Sequence, residues 1–125
     1  MAQMIDFFVD TNILIYIMEK HPNPIVSQIS QFSLGISVIT EIELFGKKNI
    51  TQSEINAIRN LLKDCEIIKL NNNVKELAIS IKQKCSIELA DAIIAATAKS
   101  LNLPLATADA GLKKLNDANI VILKM

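Results

Sequence analysis

Four acids define the chemistry open to this 125-residue chain. Asp10 interrupts the apolar run FFVDTNILIY (residues 7–16), Glu43 sits within SVITEIELFG (37–46), Asp91 opens DAIIAATA (91–98) and Asp109 closes ATAD (106–109). Asp10 and Asp109 each follow a short apolar, β-prone stretch, so both stand where a buried strand ends. If Asp91, in the first turn of an alanine-rich helix, and Glu43 point to the same edge, four carboxylates converge. Two unit negative charges about 4 Å apart repel by roughly 4 kcal/mol at an effective dielectric near 20. A raised pKa is one relief; the other is Mg²⁺ or Mn²⁺, hard cations that take carboxylate and water oxygens. One or two such ions bind a phosphate, activate a water and stabilise a leaving oxygen, which makes phosphodiester hydrolysis the matching reaction.

Hydrophobic periodicity predicts the elements that carry these acids. Residues 5–9 read as a strand ending at Asp10, and Ile13, Leu14, Tyr16 and Ile17 continue at helical spacing until HPNP (21–24) breaks the pattern. A second helix is expected over 25–32, a strand over 34–37, then a helix bearing Ile39, Ile42, Glu43 and Phe45 that stops at Gly46. In ITQSEI (50–55), Thr51 caps a helix, Glu54 reaches back to it, and Ile50 staples onto Ile55. A strand over 66–70 follows. Asn71 then caps a helix whose Val74, Leu77, Ala78, Ile81 and Cys85 share one face. A buried helix over 88–101 and strands over 103–109 and 119–123 complete the chain. This alternation implies an α/β fold with a parallel sheet and helices on both faces. Ligands of such sheets bind beyond the carboxyl ends of the strands.

Half of the residues are apolar and 21% are charged, the balance of a compact chain, and the length suits a single domain over 1–125. Thirteen basic and thirteen acidic residues cancel, so any nucleic acid must be held by local chemistry and not by a global positive field. The stretch MAQMIDFFVD lacks the basic, apolar and small-residue regions of a leader, and no apolar run approaches membrane-spanning length. A cytoplasmic location with no membrane contact is expected. Cys65 and Cys85 have no CxxC or histidine-rich neighbourhood and read as free structural thiols.

FVDTNILI, SVITEIELFG, DAIIAATA and ATAD occur in the order and spacing of PIN-domain ribonucleases. Over nearly its full length the chain resembles the VapC toxins of bacterial and archaeal toxin–antitoxin pairs. That resemblance implies a PIN-like three-layer α/β/α sandwich around a mostly parallel sheet. It also implies an Mg²⁺- or Mn²⁺-dependent endoribonuclease, homodimeric, held inactive by a cognate antitoxin inserting into the acidic groove. The family pattern places its first acid on Asp10, its glutamate on Glu43, its helix-initial acid on Asp91 and its last acid on Asp109. By the same resemblance Asp10 and Asp91 are the primary metal ligands, and Asp109 contributes directly or through water. Glu43 orients a water or helps to deprotonate the attacking one, while Asn12 and Thr107 are hydrogen-bond partners behind the ligands. The segment before DAIIAATA departs from the pattern, with Lys82 and Lys84 where many relatives carry arginine. Glu88 adds an acid three residues before Asp91 and is not assigned to the metal.

Each acid also has a purely structural explanation. Asp10 is a natural cap for a helix starting at residue 11 or 12; TEIE (40–43) matches a capping box with Thr40 as the cap; Asp91 complements a helix dipole; and Asp109 before Ala-Gly suits a turn. His21 lies beside prolines with no partner at ligand spacing, and Lys47-Lys48 and Lys113-Lys114 read as solvated surface. Two other functions compete. An aspartyl-nucleophile phosphatase requires a second acid two residues after the first, where Asn12 stands. A non-catalytic PIN-like module that binds RNA or protein loses acids that this chain retains.

Overall fold

The structure, a computed structural model, describes residues 4–115 and 119–125. Residues 1–3 of the stretch read for a leader lie outside the described residues. Strands β1 (Phe7–Val9), β2 (Leu34–Ser37), β3 (Cys65–Ile68), β4 (Leu105–Thr107) and β5 (Ile120–Ile122) form a sheet in the order β3-β2-β1-β4-β5. Every pairing is parallel. Helices α1 (Thr11–Met18), α2 (Pro24–Ile29), α3 (Val38–Phe45), α4 (Gln52–Leu62), α5 (Asn72–Lys84) and α6 (Leu89–Ser100) connect the strands, with a short 3-10 helix over Ala110–Lys114.

Strand alternation sends consecutive side chains to opposite faces, and β1 shows the consequence. Phe8 packs into a core with Val74, Ala78 and Ile81 of α5 and with the alanine-rich face of α6. Its neighbour Val9 packs into a second core with Ile13 and Leu14 of α1, Leu44 of α3 and Ile58 of α4. The sheet is thus covered on both sides, giving the three-layer α/β/α sandwich that the alternation of elements implies. Gly35, paired with Phe8 across β1 and β2, admits that large side chain: a Cβ there would stand 3.1 Å from Ile5 and 3.2 Å from Phe8.

Strand order creates the opening. The chain runs outward from β1 through β2 to β3, then returns through α5 and α6 to place β4 on the other flank of β1. Connections leave the carboxyl ends of β1 and β4 in different directions, which is where open parallel sheets form crevices.

Local signals set most helix starts. Asn71 caps α5 by accepting from Val74 N, and Thr51 caps α4 in a complete capping box with Glu54. Removing the Thr51 hydroxyl by Thr51→Ala is expected to cost about 1 kcal/mol in urea denaturation, and an unchanged midpoint would contradict that role. Several boundaries differ from periodicity, among them those of β1 (Phe7–Val9, against 5–9), α6 (Leu89–Ser100, against 88–101) and β5 (Ile120–Ile122, against 119–123). Helix α2 begins at Pro24 and ends at Ile29, β3 spans Cys65–Ile68 because Lys69 and Leu70 are exposed, and the chain leaves β4 at Thr107. His21 is also less idle than its loop position suggests: its Nδ1 accepts from Asn23 N at 3.1 Å, and its ring lies 5.1 Å from that of Tyr16.

Both cysteines are free, and burial pushes the Cys65 thiol up to about 11, with the Asp64 charge adding to the effect. No helix among the described residues is long and apolar enough to cross a membrane.

Candidate active site

Asp10 is the first residue beyond β1 and is only 7% exposed. Its two oxygens have separate tasks. Oδ1 accepts from Ile13 N at 2.9 Å and caps α1, whereas Oδ2 accepts from Thr107 Oγ1 at 2.5 Å. The Thr107 hydroxyl, fully buried at the end of β4, in turn accepts from Asp109 N at 3.0 Å. One hydroxyl therefore links the acid after β1 to the backbone of the acid after β4. Asp109 stands two residues past its strand, exposed, with Oδ1 accepting from Gly111 N at 2.9 Å at the head of the 3-10 helix.

Asp91 lies in the first turn of α6, partly buried, and the cap residue Glu88 makes no side-chain cap bond. Asp91 and Asp109 line a cleft of about 280 Å³ together with Glu88, Ser86 and Lys114. The loop entering α6 is held by two lysines from different elements: Lys114 Nζ donates to Ser86 O at 2.7 Å, and Lys82 Nζ to Ile87 O at 2.6 Å. Glu88, which the sequence leaves unassigned to the metal, is exposed and borders this cleft.

Glu43 lies on α3, the helix after β2, and its purely structural explanation does not hold. TEIE is not a capping box, because β2 passes directly into α3 and Ser37 is the cap, accepting from Ile39 N at 3.0 Å. Thr40 and Glu43 consequently lie inside the helix, three residues apart. Glu43 Oε1 accepts from Thr11 Oγ1 at 2.5 Å, and Thr11 Oγ1 lies 3.0 Å from Thr40 Oγ1. The sequence places Thr11 at the start of the helix after Asp10 and Thr40 as a cap, not beside Glu43; the signal available was the three-residue spacing that puts Thr40 on the same helical face as Glu43. Asn12 is exposed and makes no side-chain hydrogen bond among the described residues.

The four acids are close enough to act on one another. Burial holds the Asp10 carboxyl above its ordinary value, and the Asp109 and Glu43 charges push it the same way, against the Thr107 and Ile13 hydrogen bonds. Asp91 is likewise raised, first by burial and then by the charges of Asp109, Asp10, Glu88 and Glu43. No lysine or arginine forms an ion pair with any of these acids among the described residues, where the Lys47–Glu54 pair lies elsewhere. Nor do three histidine, cysteine, aspartate or glutamate side chains stand there as a ready-made metal cage. The donor set is nonetheless carboxylate oxygen without nitrogen or sulfur, and none of its acids is ion-paired among the described residues, although Lys114 borders the cleft. That chemistry fits a hard divalent cation such as Mg²⁺ or Mn²⁺.

A pH dependence follows from the two raised carboxyls. Their neutral forms favour the folded state, so this contribution is complete below the unfolded aspartate value of about 3.9 and is lost as pH rises through the folded values. In chelator, the wild type is expected to lose stability relative to Asp10→Asn as pH is raised from about 4 to 7. Parallel melting curves across that range would contradict it.

The PIN domain family model matches residues 7–118, and the chain belongs to that family. Among solved structures, a chain of VapBC-1 from nontypeable Haemophilus influenzae is 29% identical, with a TM-score of 0.77 over 94% of this chain and 98% of that one. A chain of a toxin–antitoxin complex from Klebsiella pneumoniae is 26% identical, with a TM-score of 0.78 over 93% and 96%. DNA-bound VapBC from Salmonella typhimurium includes a chain with the same fold at 19% identity and a TM-score of 0.83, over 95% and 98%. Comparison with curated protein sequences finds no match.

Proposed function

We propose that this chain is the toxin of a VapBC-type toxin–antitoxin pair, a cytoplasmic single-domain endoribonuclease dependent on Mg²⁺ or Mn²⁺. The observation that carries the reading is geometric: the Thr107 hydroxyl links the Asp10 carboxylate to the backbone of Asp109, and Asp109 lines one cleft with Asp91, while burial first and neighbouring acids second hold Asp10 and Asp91 above their ordinary values. Family membership and the likeness to chains of toxin–antitoxin complexes support it.

In this reading Asp10, Asp91 and Asp109 hold the cation, which supplies positive charge to a phosphate and lowers the pKa of a water. Thr107 fixes the Asp10 carboxylate from behind, leaving its position independent of substrate. Glu43 takes the proton of the attacking water as the water oxygen bonds to phosphorus and the bond to the leaving ribose oxygen breaks. Asn12, exposed at the start of α1, is free to bond a water or the RNA. The cognate antitoxin and a second copy of the chain are the protein partners of this reading.

Incubation of the purified chain with single-stranded RNA tests it. Cleavage in Mg²⁺ or Mn²⁺ that stops on adding chelator is expected, and adding the product of a short adjacent reading frame should suppress it. Cleavage indifferent to chelator would remove the metal-dependent mechanism; RNA left intact with either ion would remove the nuclease.

A further inference from the structure

Glu43 is exposed on α3, yet its carboxylate is held by a hydroxyl chain whose direction can be deduced. A hydroxyl carries one proton and can accept at its lone pairs, whereas a carboxylate only accepts. The Thr11 proton is therefore committed to Glu43 Oε1 at 2.5 Å. The contact between Thr11 Oγ1 and Thr40 Oγ1, 3.0 Å, must then be donated by Thr40. The chain runs one way, from Thr40 to Thr11 to Glu43. Thr40 is 0% exposed, so solvent does not compete for its end. A donor with a charged acceptor makes a shorter and stronger bond than a neutral pair, and here it fixes a side chain that would otherwise rotate freely.

Thr11 also occupies a distinctive position. It is the first residue of α1, directly after Asp10, whose Oδ1 caps the same helix. The start of α1 thus sets Asp10 through the cap and Glu43 through the Thr11 hydroxyl. With Oε1 occupied, Oε2 makes no hydrogen bond among the described residues and remains available as an acceptor.

We propose that Thr11, oriented by the buried Thr40, is a positioning residue that presents the Glu43 carboxylate with one oxygen tied and the other free for the attacking water. The role of Glu43 rests on the nuclease reading above; the hydroxyl chain is a property of the folded protein without metal or RNA.

Two double-mutant cycles test this. In chelator, urea denaturation of wild type, T11V, E43A and T11V/E43A is expected to be non-additive, with T11V destabilising the wild type but not E43A. In RNA cleavage, T11V is expected to lower kcat by about tenfold or more at little change in KM, the pattern of an interaction needed in the transition state. T11S retains the hydroxyl and should restore the rate. T40V should reproduce most of the loss and T40S should not, which separates the lost donor from a disturbed core. T11V should add nothing to E43A. An additive stability cycle, or wild-type turnover by T11V, overturns the proposal while leaving the nuclease reading intact. An inactive wild type overturns the nuclease reading itself, and is distinguished by failing before any variant is compared.

Discussion

Asp10→Asn is expected to lower metal-dependent RNA cleavage by more than about a hundredfold, beyond the 10- to 100-fold typical of residues that merely support a ligand. The substitution separates two tasks carried by one side chain. Asparagine caps helices as well as aspartate does, so the bond to Ile13 N can survive and α1 should start normally. What disappears is the negative charge at the end of the central strand. The melting temperature in chelator should hold or rise, because burial and the Asp109 and Glu43 charges already disfavour the ionised form. Near-normal cleavage by this variant would reduce Asp10 to a helix cap and a partner for Thr107. An alanine variant would answer less, since it removes the cap and the charge together.

Asp91→Asn is expected to raise the melting temperature in chelator while abolishing most activity. Two opposing effects decide the sign. A carboxylate in the first turn of α6 gains roughly 0.3–1 kcal/mol from the helix dipole at an exposed site, and losing it would destabilise. Against this stand desolvation and repulsion from Asp109, Asp10, Glu88 and Glu43. Asp91 is only partly buried, so solvent weakens that repulsion, but four like charges act on it. The capping residue Glu88 makes no side-chain cap bond that Asp91 could be reinforcing. Repulsion should exceed the dipole gain, giving a rise of about 3 °C. With saturating Mn²⁺ the order should invert, because an ion bound only by the native wild type stabilises it selectively. A variant that melts lower than wild type in chelator would mean that Asp91 serves its helix and little else.

Much of this arrangement is written locally in the chain. The strand ending at Asp10, the Thr51–Glu54 capping box, the Asn71 cap and the apolar stripe of α5 depend on neighbours within a few residues, so periodicity and side-chain type identify them. Glu43 shows why the rest was less legible. TEIE resembles a helix start, and only the absence of any loop between β2 and α3 lets Ser37 take the cap, leaving Thr40 and Glu43 for another use. The 3-10 helix after Asp109 was invisible because AGLKK is too short to show a period. The meeting of Thr107 with Asp10 depends on β4 lying beside β1, a strand order that spacing along the chain does not encode. Asn12 was placed behind the ligands by motif position, yet its side chain faces solvent, one residue after a threonine that is tied to Glu43.

The convergence of the acids on a divalent ion is tested most directly by anomalous diffraction from crystals of the chain equilibrated with Mn²⁺. The prediction is a manganese peak within coordinating distance of the Asp10, Asp91 and Asp109 carboxylates, with water completing the shell, and its loss in Asp10→Asn. A peak confined to other surface acids, or an unaltered peak in that variant, would contradict a metal centre at the ends of β1 and β4.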